Sequence, residues 1–238
     1  MNRDQQNRVK RQFIVRPFEK RDRERVRQIC CETGFLGNPI DPVFQDRELF
    51  ADYLTRYYTD KEPESSFVIE RENQIRGYLL GSRCSYRQKI FNLFSHARLA
   101  LKGGVRYWTS YNEASRRYCR WVLSRGWRET PTTPKNMAHF HINLLPDSKS
   151  VAETHDLIQA FLSYLHRLGE KKVYGQMVVF EGRRGERMFS RYGFEVLDRS
   201  EVTKYRELHS EPVYLFTVVK DLEKNPYLYS EKVAYSVS

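Results

Sequence analysis

Hydrophobic and polar positions change period several times along the 238 residues, and each change marks an element. Phe13-Ile14-Val15 is a short β-type run closed by Arg16-Pro17. Val26, Ile29 and Cys30 then recur at helical spacing, and the turn-rich stretch Gly34 to Pro42 predicts an ordered loop. From Asp46 to Tyr58, the residues Leu49, Phe50, Tyr53, Leu54 and Tyr57 share one face, which predicts an amphipathic helix. Apolar runs at 67–70 and 75–80 flank Arg71-Glu72-Asn73-Gln74 and read as a hairpin with a four-residue turn.

The middle of the chain returns to helical spacing. Ile90, Leu93, Phe94, Ala97 and Leu101 form a stripe that Gly103-Gly104 should end. Ser110 and Glu113 read as the capping box of a further helix. Its apolar face is Tyr111, Ala114, Tyr118, Trp121 and Val122, and Gly126 closes it. Thr130 to Pro134 cannot continue a helix. In 138–144 strict alternation puts His139, His141 and Asn143 on one face, with Ala138, Phe140, Ile142 and Leu144 on the other. A loop over 147–154, a helix over 155–169, a strand over 171–180 and a helix over 184–193 follow. Closing strands are expected at 201–208 and 212–222.

Charge divides the chain unevenly. The net charge is +11, of which residues 1–27 hold 10 basic and 4 acidic side chains (+6) and residues 83–135 hold 12 and 2 (+10). The basic segment therefore suggests an anionic partner. Arg116, Arg117 and Arg120 interleave with Tyr118 and Trp121, but no nucleic-acid-binding motif accompanies them. The stripe at 90–101, with Arg87, Arg98 and Lys102 beside it, reads as packing onto its own domain, as a lid or as a membrane-surface helix. No apolar run approaches the length of a membrane span, and the N-terminus lacks the apolar core of a signal peptide. Cys30, Cys31, Cys84 and Cys119 have no metal-binding spacing and read as reduced thiols. A cytoplasmic chain without a metal is the expectation.

The order of elements from Met137 to Glu195, with Leu144-Leu145-Pro146 before the loop and Tyr192-Gly193-Phe194 after the last helix, resembles the acetyl-CoA half of GNAT-superfamily N-acetyltransferases. Val15-Arg16-Pro17 followed by Asp22, Val26 and Ile29, and then Gly77-Tyr78-Leu79-Leu80-Gly81, are similar to the opening and the second hairpin arm of that family. The resemblance implies an α/β (α+β) fold with a mixed, mostly antiparallel sheet flanked by helices. One domain would span 12–222 with a helical insertion at about 83–135, a basic tail at 1–11 and a polar tail at 223–238. It further implies transfer of an acetyl group from acetyl-CoA to a small-molecule or peptide primary amine by direct attack.

By that resemblance, acetyl-CoA would lie against Asn143, Leu144 and Leu145, and its phosphates against Lys149, Ser150, Val151, Ala152, Glu153 and Thr154. Phe35, Asp41, Phe44 and Tyr53 would border the acceptor. A neutral imidazole at His141 or His139, or the Glu70 carboxylate, would take the proton from the amine. Phe189 occupies the place of the family's tyrosine acid, and Gly182 that of its asparagine, so either another residue, with Tyr192 the candidate, or solvent serves as the acid, or the site is catalytically silent. Thr154 is bulky for the phosphate loop, and Glu153 either faces the anion or turns away. A degenerate module that binds a CoA ester, or an anionic partner through the insertion, is the alternative reading.

Overall fold

The computed structural model describes residues 13–83, 85–148, 150–180 and 189–224. Strand β1 (Ile14–Pro17) leads through a 3-10 turn into α1 (Arg23–Glu32), a loop and α2 (Arg47–Lys61). The hairpin β2 (Ser66–Arg71) and β3 (Gln74–Ser82) follows, then helices α3 (Ser85–Thr109) and α4 (Glu113–Ser124). Strand β4 (Ala138–Leu144), α5 (Val151–Arg167) and β5 (Lys172–Phe180) come next. Strands β6 (Glu195–Glu201) and β7 (Val213–Asp221) close the seven-stranded sheet, whose order is β1-β2-β3-β4-β5-β7-β6. Only β4 and β5 run parallel, so the sheet is mixed and mostly antiparallel, as expected from the sequence.

Alternation along the central strands builds a core on each face. Val68, Tyr78 and Leu80 join Val26, Ile29, Phe44, Phe50 and Tyr58 under α1 and α2. Phe67, Ile69, Leu79 and Phe140 join Leu157, Phe161 and Leu165 under α5. Strands covered on both faces read as continuous apolar runs, which is the pattern of 77–80. The two layers are tied at the edge by Arg16, which donates to Asp22 (2.7 and 2.9 Å) and to Glu70 (2.8 Å).

Several local expectations are corrected. The hairpin turn has two residues, Glu72 and Asn73, both left-handed (φ 51° and 58°), with Arg71 paired to Gln74. That primed geometry matches the strand twist better than a wider loop. The buried side of α2 is Phe50, Ala51, Thr55, Tyr57 and Tyr58, because it packs on both α1 and α3; Tyr53 is left 47% exposed. Helix α3 runs through Gly103-Gly104, where its backbone approaches Leu49. The α4 N-cap is Asn112, accepting from the Ser115 N–H at 2.9 Å, and not Ser110. Within 201–208, Thr203–Tyr205 is a 3-10 turn, and the closing strand β6 lies earlier. The expected 184–193 helix lies partly outside the described residues, as do both tails apart from Glu223 and Lys224.

The stripe at 90–101 does not pack onto its own domain. Ile90, Leu93, Phe94 and Leu101 are exposed, while α3 rests on α2 through Phe91, Ser95 and Leu99. Asp46 anchors this insertion: it caps α2 at Leu49 (3.0 Å) and receives Arg106 (2.5 Å) and the Tyr111 hydroxyl (2.6 Å).

Gly81 of β3 is the tightest point between sheet and α5. A Cβ there would stand 2.3 Å from the Phe161 ring and 2.6 Å from the Ser65 carbonyl oxygen. Gly81→Ala should lower the unfolding free energy by about 1–3 kcal/mol. An unchanged denaturant midpoint would show that Phe161 yields freely.

Candidate active site

The site begins where two strands part. β4 is paired to β3 from His139 to Leu144, and β5 is paired to β7 over its whole length. Between β4 and β5 the parallel ladder covers only Ala138–Phe140 against Val173–Gly175. The Phe140 ring lies over Gly175, where an added Cβ would come within 3.2 Å of it. Beyond that point the strands diverge and leave a gap.

Backbone accounting identifies which groups face this gap. The Leu145 N–H donates to the Arg76 carbonyl at 2.9 Å. Backbone groups alternate sides along an antiparallel ladder, so Asn143 and Leu145 turn theirs toward β3, while Ile142 and Leu144 turn theirs into the gap. The sequence expectation is thereby narrowed: Leu144 keeps an available N–H, whereas those of Asn143 and Leu145 are spent. The Asn143 side chain donates to the Tyr78 hydroxyl at 3.0 Å.

On the α2 face of the sheet, beside the gap, lies a cavity of about 370 Å³. His139, His141, Tyr174 and Gln176 line it from β4 and β5, Tyr53, Tyr57 and Tyr58 from α2, and Gln88, Asn92 and His96 from α3. The Tyr58 hydroxyl accepts from Gln88 at 2.8 Å and is hydrogen-bonded to His139 Nε2 at 3.1 Å. His139 stacks on Tyr174, and His141 stands edge-on to Tyr58 and Tyr78. Burial pushes His141 down to about 3, helped by its neighbour His139. Burial also lowers His139 to about 4, against the pull of Glu62. It raises the Tyr58 and Tyr174 hydroxyls and lowers His96.

Among the described residues the lining thus carries no charge at neutral pH, and no Asp, Glu, Lys or Arg belongs to it. Nearby Glu62 is taken up by the Tyr57, Ser65 and Ser82 hydroxyls (2.9, 3.0 and 2.8 Å) and the Arg83 N–H (2.6 Å). His141 Nε2 and Gln176 Nε2 are buried without a partner.

The α5 N-terminus starts earlier than the sequence suggested, at Val151, so part of the expected loop is the first helical turn. Ser150 caps it and accepts from the Glu153 N–H (3.1 Å), while the Glu153 carboxylate accepts from the Ser150 N–H (3.3 Å). Glu153 is fully buried and paired with Arg71 at 2.7 Å, so its charge is answered internally. Thr154 Oγ1 donates back to the Ser150 carbonyl at 3.0 Å. First-turn geometry leaves the N–H groups of exposed Val151 and Ala152 without an intrahelical acceptor. Lys149 and Gly182 lie outside the described residues.

The remaining sequence candidates scatter. Phe189 is a core residue packed near Phe216. Tyr192 sits over the start of α5, with its hydroxyl donating to the Val151 carbonyl at 3.4 Å, and does not line the cavity. Glu70 is bonded to Arg16 at the sheet edge. Asp41 is paired with Arg47 on the surface. Phe35 packs against Tyr205, and Phe44 is buried against Tyr111 and Tyr118. Tyr53, His139 and His141 are the ones brought together. Tyr58, Tyr174 and Gln176 were missed, although Tyr174 and Gln176 alternate with Val173 and Gly175 in the manner of a strand face. The basic-aromatic interleaving of α4 is spent within the molecule: Arg120 on Glu113, Arg117 on Glu207 and Arg116 on the Tyr107 carbonyl.

No protein-family profile and no curated protein sequence matches the chain. Solved structures do. The crystal structure of SsHAT is 26% identical with a TM-score of 0.58, covering 89% of this chain and 98% of that one. YncA, a putative acetyltransferase from Salmonella typhimurium solved with its cofactor acetyl-CoA, is 13% identical with a TM-score of 0.51, covering 94% and 98%. A spermidine N-acetyltransferase SpeG chimera from Vibrio cholerae and hSSAT is 12% identical with a TM-score of 0.50, covering 90% and 98%.

The buried histidines set a pH dependence. An unfolded histidine protonates near its ordinary value of about 6.5, whereas His139 and His141 resist protonation until about 4 and 3. Their contribution is complete above about pH 6.5 and is lost as pH falls, because only the unfolded chain then binds the protons. The melting temperature should drop between about pH 6.5 and 5, and a double His139→Gln, His141→Gln variant should flatten that slope. Equal slopes would mean that these imidazoles titrate normally.

Proposed function

We propose that this chain, whose fold is that of the GNAT N-acetyltransferases, transfers an acetyl group from acetyl-CoA to a primary amine that enters its cavity uncharged. The observation that carries this reading is the β4–β5 gap, with the Ile142 and Leu144 backbone groups turned into it, opening beside a cavity without a charged side chain. Residues 12–222 would act as one domain, with 83–135 inserted to complete the cavity.

Acetyl-CoA supplies an acetyl group on a thioester, which an amine nitrogen attacks directly. The backbone of Ile142 and Leu144 would hold its amide-bearing arm, with the Leu144 N–H polarising the carbonyl. The first-turn N–H groups of Val151 and Ala152, the α5 dipole and Lys149 would hold its phosphates. Because Glu153 is turned inward onto Arg71, its charge does not oppose them.

The chain's larger task is the proton. Burying an ammonium in a cavity without a carboxylate is unfavourable, so the site would favour the neutral, nucleophilic form of the acceptor. As the C–N bond forms and the C–S bond breaks, the nitrogen becomes acidic enough for a weak base to suffice. His141 would take that proton, with the His139, Tyr58 and Gln88 chain beside it. The departing thiolate would be protonated by solvent, since Phe189 has no proton and the Tyr192 hydroxyl is bonded to Val151.

Two measurements test this. Calorimetry should give micromolar acetyl-CoA binding, and Ala152→Glu, which sets an anion at the phosphate position without harming the helix start, should weaken it at least about tenfold. No binding at millimolar acetyl-CoA would turn the reading toward a non-catalytic module. In steady-state assays, an arylamine, uncharged at neutral pH, should exceed spermidine in kcat/KM by about 100-fold or more. A preference for spermidine would refute the uncharged acceptor.

A further inference from the structure

We infer that the outer face of α3 docks on the surface of an anionic lipid bilayer. At 100° per residue, the inner face of this helix is Gln88, Asn92, Ser95 and Leu99, turned toward α2 and the cavity. Half a turn away stand Ile90, Leu93, Phe94, Leu101, Val105 and Trp108. All are exposed, Phe94 and Leu101 at 73% and Trp108 at 80%. The stripe runs along about 27 Å of the 25-residue helix. Apolar surface of that extent, left bare by the fold, marks an interaction face.

Charge selects the partner. Helix α3 carries Arg87, Lys89, Arg98, Lys102 and Arg106 and no Asp or Glu. Arg106 is bound to Asp46, and the helical angle sets Arg87 and Arg98 along one border of the stripe and Lys89 along the other, with Lys102 exposed but turned closer to the inner face. A second copy laid face to face would bring these cations against their equivalents, with no acid on either helix to answer them. An anionic bilayer answers both features, since headgroup anions meet the bordering cations and the acyl boundary receives Phe94, Leu101 and Trp108. Among the described residues no helix is long and apolar enough to cross a membrane, so α3 would lie in the interface plane. The inner face would remain on the cavity, leaving the proposed acetyl-transfer site intact.

The test is flotation of the full chain with phosphatidylcholine vesicles, with and without about 30 mol % phosphatidylserine. Wild type should float with the anionic vesicles, little with the neutral ones, and less in about 0.5 M NaCl. Phe94→Ser with Leu101→Ser, and separately Arg87→Gln, Lys89→Gln and Arg98→Gln together, should each weaken partition at least about tenfold. Both sets lie on the exposed side, so unfolding midpoints and acetyl-CoA binding should match wild type, which keeps loss of docking separable from loss of fold or of the active site. Equal partition of wild type and variants, or no flotation of wild type, would overturn the inference. A dimer in sedimentation velocity that the serine variant converts to monomer, without vesicle binding, would assign the face to a second copy instead.

Discussion

Everything at this site depends on β4 and β5 being committed to different partners. β4 is held by β3 along its length and β5 by β7 along its own, while the two share a ladder only over Ala138–Phe140 and Val173–Gly175. Each strand satisfies its outer edge with a full antiparallel ladder, and sheet twist then carries the pair apart beyond the Phe140–Gly175 contact. The gap is stable because its cost is confined to a few backbone groups, those of Ile142 and Leu144 among them. Such groups are costly to bury unpaired, so a gap that keeps them is suited to a ligand with amides of its own.

The second constraint is dielectric. The cavity side of β4 carries two histidines that sequence alone would credit with ordinary basicity. Burial among Tyr58, Tyr78 and Tyr174 lowers that basicity, and the pull of Glu62 on His139 only partly offsets it. The charged groups of this region are instead spent on architecture. Arg16 joins β1, β2 and the start of α1; Asp46 ties α2 to the insertion; Glu153 and Arg71 close the start of α5. The insertion belongs to the same design, since the inner side of α3 completes the cavity while its outer side stays bare.

The expectations that held are those in which periodicity and burial agree. The alternation of 138–144 did place His139 and His141 together on one face and Phe140 and Leu144 on the other. Those that failed turn on a competing local partner. Ser110 was displaced as a cap by Asn112, whose oxygen meets the Ser115 N–H. Gly103-Gly104 did not break α3: the helix runs on through both, with Gly103 facing Leu49 and Gly104 facing open space. Glu70 and Asp41 were chosen for their chemistry, yet each is drawn to an arginine that lies 54 and 6 residues away in the chain.

The sequence by itself determined the order and type of most elements, the alternation of faces along 138–144 and the concentration of positive charge in one insertion. Those properties are local: they follow from side-chain spacing of two or 3.6 residues and from composition. Tertiary structure decided which backbone groups stay unpaired at the gap, which histidines lose their charge, and which face of α3 is left open. Hydrogen-bond partners, desolvation and exposure are set by atoms distant in the chain, and no periodicity within a single element encodes them.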